Sequence, residues 1–428
     1  MKYSIVTFGC RVNQADSLGF EEELLARGGI AVAPEDADLV LVNTCSVTAT
    51  ADQGTRQTIR RIARDNPSAR IVATGCYATR RPDEVLALPN VVRVVPNDDK
   101  PKAIALLATD FGLTTAVRFG EGGGSCGSAI EPGVAGRTAF TLRVQTGCAQ
   151  SCSYCIIPTT RGRPRSVAVV DVLSEIERVA AAGFKEIALT GVHLGSYGRD
   201  LAPGSSLVDL LRAVADFESQ IPSRQSRLLF RISSLEPMDC SPEIVELVAR
   251  AGCFAPHFHL PLQHASSRML VAMRRPYTIE YYESLVNDIR GRMPYASIGS
   301  DVIVGFPGET EDDFEQLASY LERSPLTHVH VFPYSDRPGT DAASMGDRAP
   351  GTVVRVRARR IREIAQRLSQ QFRDSQMGTV RPALTIDDGA SVVTDNYLKL
   401  RIPAGQARNQ NVNVLVASHL DGELIFRG

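Results

Sequence analysis

Three cysteines stand within eight residues of one another, Cys148, Cys152 and Cys155, in the stretch CAQSCSYC. Close thiols in a chain with no secretory leader are read first as metal ligands, because disulfide frameworks belong to small secreted domains. Two chemistries compete for them. Structural zinc is four-coordinate and usually takes two close pairs of ligands. No second pair follows here, so zinc would need a distant ligand such as His257, His259 or His264. A cubane iron–sulfur cluster normally takes four thiolates. Three of them leave one iron open, and an open position is how a metal site binds substrate instead of only holding structure. The cluster is the better fit. Cys10, Cys45 and Cys76 form a second set, each closing a short apolar run: YSIVTFGC, ADLVLVNTC and ARIVATGC. They too lack a fourth ligand, and a second open cluster is preferred over three buried structural thiols. Cys240 and Cys253 read as packing residues, and Cys126 as a linker thiol.

The elements that must position these thiols follow from hydrophobic pattern. The runs before Cys10, Cys45 and Cys76 are separated by about one strand–helix–strand unit, with helical stretches over 17–27 and 52–65. Strands alternating with helices give an open parallel α/β sheet. Each cysteine then lies just past the carboxyl end of a strand, the edge where such sheets bind ligands. A Gly-rich linker covers 119–136. From Phe140 a second alternating series begins: FTLRVQTGC, EIALTGVHLG, RLLFRISSLEP, FAPHFHLPLQ, IGSDVIVGFPG and HVHVFPYS, with helices between. Six strand–helix units fall short of the eight of a closed barrel, so an open partial (β/α)6 barrel is expected, with its site at the carboxyl ends of the strands. An Arg-rich helical stretch covers 353–373. After Met377 short strands and turns predict a small all-β barrel. The expected division is 1–118, linker 119–136, 137–374 and 375–428.

With those residues in view, the sequence resembles the radical S-adenosylmethionine methylthiotransferase family. The resemblance is carried by GCRVNQADS, VNTCSVTATAD, ATGCYA, QTGCAQSCSYCIIP, LTGVHLGSYGRD, SSLEP, HLPLQHASSRMLVAMRR, DVIVGFPGETEDDF and VFPYSDRPGT, and it covers nearly the whole chain. GCRVNQADS, NTCSVTATADQGTRQTIRR and TGVHLGSYGRD look most like the branch that modifies threonylcarbamoyladenosine beside the tRNA anticodon. The chain departs from the pattern at Thr159 and Thr160, where an aromatic or small residue is usual before Arg161-Gly162. The resemblance implies two [4Fe–4S] clusters, one on Cys10, Cys45 and Cys76 and one on Cys148, Cys152 and Cys155. It implies S-adenosylmethionine chelated at the open iron of the second. One S-adenosylmethionine would methylate a sulfur on the N-terminal cluster. Another would be cleaved to a 5′-deoxyadenosyl radical that removes hydrogen from C2 of the adenine, where the methylthio group joins. Both clusters must then face one cavity. Tyr154 would pack near the adenine of S-adenosylmethionine, and the C-terminal barrel resembles the RNA-binding TRAM domain. Gly191, His193, Glu236, Gln263 and Asp301, all at expected strand ends, are candidates to hold S-adenosylmethionine or substrate.

Composition sets the partners. Charge is nearly balanced, 47 Lys and Arg against 48 Asp and Glu, so RNA contacts must use local patches. The candidates are Arg56, Arg60, Arg61 and Arg64, the segment 161–165, and the arginines from Arg355 on, since Arg pairs bidentately with phosphate. Apolar runs are far shorter than the roughly 18 residues that span a bilayer, and no signal peptide is evident. The expectation is a cytoplasmic monomer acting on tRNA and reduced by a flavodoxin- or ferredoxin-like protein. Three other readings remain: methylthiolation of isopentenyladenosine or of a ribosomal protein side chain, a non-enzymatic iron–sulfur redox sensor that binds RNA, and a zinc-held RNA module.

Overall fold

The computed structural model describes residues 1–113, 138–220 and 228–425. Cys126 and the expected Gly-rich linker lie outside them. The chain forms two compact units. One joins the N-terminal residues to Arg143–Glu175 and Ser335–Ala343, and the other takes Ile176–Tyr334 and the residues from Ser344 onward.

In the first unit, β1 (Lys2–Thr7), β2 (Ile30–Ala31), β3 (Leu39–Thr44), β4 (Arg70–Gly75) and β5 (Val91–Val95) form one parallel sheet in the order β2-β1-β3-β4-β5. All six residues of β3, LVLVNT, are buried, as expected where helices cover both faces of a parallel sheet. Alternate side chains serve opposite faces. Val40 and Val42 pack with Ile59 and Ile62 of α2 (Ala49–Asp65), whereas Leu39 and Leu41 pack with Phe20 and Leu24 of α1 (Arg11–Ala26). The strand order reverses between β1 and β3, the switch point at which open α/β sheets bind ligands.

Helix α1 begins at Arg11, immediately after Cys10, several residues before the expected start. Its first turns bury Asn13, Asp16 and Ser17 as well as Val12, so the inward face carries polar residues and the apolar periodicity is masked. Helix α2 also starts early, where Thr48 accepts a hydrogen bond from Ala51 N.

In the second unit, all six expected strands form: β6 (Phe140–Arg143, whose last residue belongs to the first unit), β7 (Glu186–Thr190), β8 (Leu229–Ile232), β9 (His257–His259), β10 (Ser297–Val304) and β11 (His328–Pro333). They run as β8-β7-β6 and β9-β10-β11. Backbone hydrogen bonds from Phe230 N to Cys253 O and from Ala255 N to Phe230 O, both 2.8 Å, join the two halves. The result is a partial barrel. Its C-terminal part is an antiparallel half-barrel sheet of β12 (Val380–Ile386), β13 (Ser391–Thr394), β14 (Lys399–Arg401), β15 (Asn411–Val416) and β16 (Gly422–Ile425), around Val392, Leu400 and Val414. Arg231 of β8, 1% exposed, binds Glu186 of β7 through two bonds of 2.7 and 3.1 Å. It also donates to the carbonyls of Thr394 and Asp395. No sequence pattern announced this link between the barrel strands and the C-terminal sheet.

Candidate functional site

Cys10, Cys45 and Cys76 stand where β1, β3 and β4 end. The residues before two of them must be glycine. A Cβ on Gly9 would stand 2.6 Å from Cys45 Sγ, and one on Gly75 would stand 2.2 Å from Thr44 O; both residues have positive φ. The repeated Gly-Cys is thus a requirement of chains converging at one sheet edge. Cys10 is exposed, Cys45 and Cys76 are buried. Burial, with Cys76 and Cys10 as neighbours, pushes the Cys45 thiol up to about 11. Such a thiol keeps its proton at neutral pH unless a metal replaces it.

Behind the thiols lies a buried polar network. Asn13 donates to Phe8 O and Thr44 O, and Asn43 to Asn13 O and Ser17 Oγ. Lys100 Nζ reaches Asp16 at 2.7 Å and Asn43 Oδ1 at 3.0 Å. Arg161 also pairs with Asp16, at 3.2 Å, and Arg143 is the third cation on that carboxylate. Burial alone would raise the Asp16 carboxyl, but Lys100, Arg143 and Arg161 hold it well below the usual range. Burial depresses Lys100 to about 8 against the pull of Asp16. The Arg161 guanidinium is raised, despite burial, by Asp16 and by Cys76 and Cys10. Asn97 Nδ2 lies 3.7 Å from Cys76 Sγ and donates to Thr160 O at 2.7 Å.

Thr160 and Arg161 close the short helix α5 (Ile157–Arg161) that follows Cys155. The loop bearing Cys148, Cys152 and Cys155 is therefore tied to the loop of Cys76. It is half-buried and held by its own backbone: Cys148 N donates to Gly162 O, Cys155 N to Cys152 O, and Gln150 N points to Cys148 Sγ at 3.4 Å. Residues 335–343 complete the unit. Arg337 donates to Val47 O and to Asp52, which also accepts from Ser46 and Arg80. Ser335 Oγ accepts from Ala49 N, and Ala342 N donates to Ser153 O at 2.8 Å. One short segment thus touches the loop after Cys45 and the turn between Cys152 and Cys155. Both thiol triplets belong to this one unit.

The donor sets fit iron–sulfur clusters. Each is three thiols on backbone turns, and the N-terminal set faces a cation and an amide donor that suit anionic sulfur. The histidines considered as distant zinc ligands are engaged within the second unit: His257 stacks on Tyr397, His259 bonds Asp301, and His264 bonds Glu309.

The chain matches the model of Uncharacterized protein family UPF0004 over residues 2–96 and that of the Radical SAM superfamily over 142–321. It is 36% identical to threonylcarbamoyladenosine tRNA methylthiotransferase MtaB of Aquifex aeolicus, across 97% of this chain and 100% of that protein. The chain belongs to the radical S-adenosylmethionine tRNA methylthiotransferase family. It is also 32% identical, over 99% of this chain and 95% of the relative, to tRNA-2-methylthio-N(6)-dimethylallyladenosine synthase of Carboxydothermus hydrogenoformans. In fold it resembles the radical S-adenosylmethionine methyltransferase TsrM of Kitasatospora setae, with TM-score 0.57 and 18% identity over 80% of this chain and 74% of that one.

The other sequence candidates of this methylthiotransferase divide between the two units. Tyr154 is half-buried in the cysteine loop of the first unit, and the rest are in the second. Gly191 directly follows β7. His193, 5% exposed, pairs with Asp239 at 2.9 Å. Glu236 pairs with Arg275. Gln263 has positive φ, and its backbone bonds Asp301 and Ile303. Asp301 sits in the interior of β10 and not at its end, since the strand runs on to Val304. Its carboxyl, which burial would raise, is lowered to about 2 by His259 and His330. Among the arginines, Arg161 is buried in the Asp16 network and Arg357 in pairs with Glu309 and Glu311, so neither is a phosphate contact. Arg56 is engaged by Tyr77 and Glu84. Arg60, Arg61 and Arg64 are exposed, as are Arg355, Arg359 and Arg362, which line a cleft of about 470 Å³ on α11 (Gly351–Gln376). Among the described residues no helix is long and apolar enough to cross a membrane.

Proposed function

We propose that the protein transfers a methylthio group to C2 of N6-threonylcarbamoyladenosine beside the tRNA anticodon. In this reading Cys10, Cys45 and Cys76 hold one [4Fe–4S] cluster and Cys148, Cys152 and Cys155 another, with S-adenosylmethionine as the second cofactor. The carrying observation is that both thiol triplets belong to one compact unit, tied through Asn97, Arg161 and residues 335–343. The likeness to the Aquifex threonylcarbamoyladenosine enzyme supports the choice of nucleoside. When bound, the clusters supply the electron that cleaves S-adenosylmethionine and the sulfur that is transferred.

The chain's own residues do the rest. Three thiolates per cluster leave one position for a small-molecule ligand. Arg161 and Asn97 direct positive charge and an N–H at Cys76, which stabilises anionic sulfur there. Arg337 and Asp52 fix the turn after Cys45, and the backbone of Ala342 fixes that of Ser153. Tyr154, Gly191, Glu236 and Gln263 are proposed contacts to S-adenosylmethionine or substrate. Arg60, Arg61 and Arg64, with Arg355, Arg359 and Arg362, are proposed phosphate contacts. A flavodoxin- or ferredoxin-like protein is the proposed electron donor.

Two measurements test this. Anaerobically purified protein should hold about eight irons, falling to about four when Cys148, Cys152 and Cys155 are changed to alanine. Zinc in place of iron, or an unchanged count, overturns the cluster reading. In tRNA from a deletion strain the methylthio form of threonylcarbamoyladenosine should vanish while its precursor accumulates. Loss of methylthio-isopentenyladenosine instead would transfer the assignment to that nucleoside.

A further inference from the structure

Four of the chain's seven histidines lie on two strands of the second unit: His257 and His259 on β9, His328 and His330 on β11. Residues two apart on a strand share a face. Between them β10 contributes Gly299 and Asp301, in register with His259 and His328 and with His330. Gly299 is required, because a Cβ there would stand 1.9 Å from His328 Nε2. His259 Nε2 lies 3.1 Å from Asp301 Oδ1, and His330 Nδ1 lies 3.2 Å from the same oxygen. One ligand atom from each of the three falls within 4.8 Å of the others. Ser234 Oγ is 2.9 Å from the far nitrogen of His259, the outer partner that fixes which nitrogen of a ligating ring faces the metal. The His330 side chain is 61% exposed, so the group has an entry path and room for water.

We propose that His259 Nε2, Asp301 Oδ1 and His330 Nδ1 form a site for one divalent transition-metal ion, with its remaining positions open to water or an oxygen ligand. Two histidines and one carboxylate, on three hydrogen-bonded strands, form the set that takes such ions with open positions. All three ligands belong to the second unit, and the proposal does not depend on the proposed reaction.

The test uses full-length, cluster-loaded protein and Mn²⁺, which favours nitrogen and oxygen over thiolate and so avoids the cysteines. Free Mn²⁺ is counted by electron paramagnetic resonance during titration. One ion should bind per chain in the sub-millimolar range. Asp301→Asn and His330→Gln should each abolish that binding, and Ser234→Ala should weaken it at least about tenfold. His330→Gln changes an exposed side chain, and its iron content and circular dichroism should match wild type. No binding by the wild type, or binding as tight as the wild type's by His330→Gln or Asp301→Asn, overturns the proposal.

Discussion

Replacing Asp16 by asparagine tests whether the charge behind the N-terminal cysteines is structural. The substitution keeps volume and removes one carboxylate whose side chain is 1% exposed. Two cations, Lys100 and Arg161, each with a side chain 3% exposed, lose their shared partner. They respond differently. Lys100 already titrates near 8, so shedding its proton at pH 7 limits its added cost to about 1.4 kcal/mol. Arg161 cannot deprotonate, and breaking a buried pair costs about 3–5 kcal/mol in all. The sign with pH follows. In wild type the folded lysine sits below its unfolded value near 10.5, so the unfolded chain binds more protons and stability rises with pH from about 8 to 10.5. Without Asp16 the lysine falls further, so the rise begins at a lower pH than in wild type. Hydrogen exchange of the β1, β3 and β4 amides, which needs no tryptophan in a chain that has none, reads both quantities. Asp16→Asn should lower the opening free energy by about 3–5 kcal/mol at pH 7. Adding Lys100→Met should return about 1 kcal/mol and remove the slope between pH 7 and 8. A loss under about 1 kcal/mol, or a slope that survives Lys100→Met, refutes the reasoning.

Three further outcomes are expected. Arg231→Met leaves Glu186 buried without its cation and frees the carbonyls of Thr394 and Asp395, so chemical denaturation should show a loss of about 3–5 kcal/mol. Asp313, which burial would raise, is held well below the usual carboxylate range by Arg268, Ser266 and Thr310 and completes the capping box that Thr310 begins on α10 (Glu311–Arg323). Asp313→Asn should therefore cost about 1–2 kcal/mol at pH 7, and its gap from wild type in denaturation midpoint should narrow as pH falls below about 4. Changing Arg355, Arg359 and Arg362 to glutamine should weaken tRNA binding and reduce the slope of log K against log salt by about 2–3 in filter-binding assays; an unchanged slope removes that cleft from the interface.

Much of the fold is legible in the sequence, because it rests on local pattern. The run LVLVNT reads as a buried strand and lies buried on both faces, and all six barrel strands fall where their apolar runs stand. The thiol triplets were readable for a different reason: cysteine is rare, and strand-end placement has few explanations. What the sequence hides is pairing between residues far apart in the chain. Lys100 meets Asp16 and Arg337 meets Asp52 across separations that no periodicity encodes. A partial signal existed in GCRVNQADS, where Asn13, Asp16 and Ser17 recur at helical spacing on the face expected to be apolar. Polar residues on a core face need partners, so they pointed to a buried network. Arg161 shows the converse, since a short Arg-rich stretch in a loop gives no sign of burial although its side chain is 3% exposed.

The position of that network argues for its purpose. Buried ion pairs contribute little stability beyond what apolar packing of equal volume supplies, and removing one partner is what costs. Asp16, Lys100 and Arg161 are thus poorly explained as stabilisers of β1 and β3, whose faces already pack Tyr3, Leu39 and Leu41 against α1. What apolar side chains could not do is present a fixed guanidinium to Cys76 while anchoring the end of α5, two turns of chain beyond Cys155. Arg161 carries both tasks because Asp16 satisfies its charge from the buried side. A lysine there would supply charge near Cys76 without the planar fork that reaches Asp16 and Asn13 together. Arg161→Lys should therefore keep most of the fold's stability yet lose iron from the N-terminal triplet first, read as a drop toward about four irons per chain with the Cys148, Cys152 and Cys155 cluster retained.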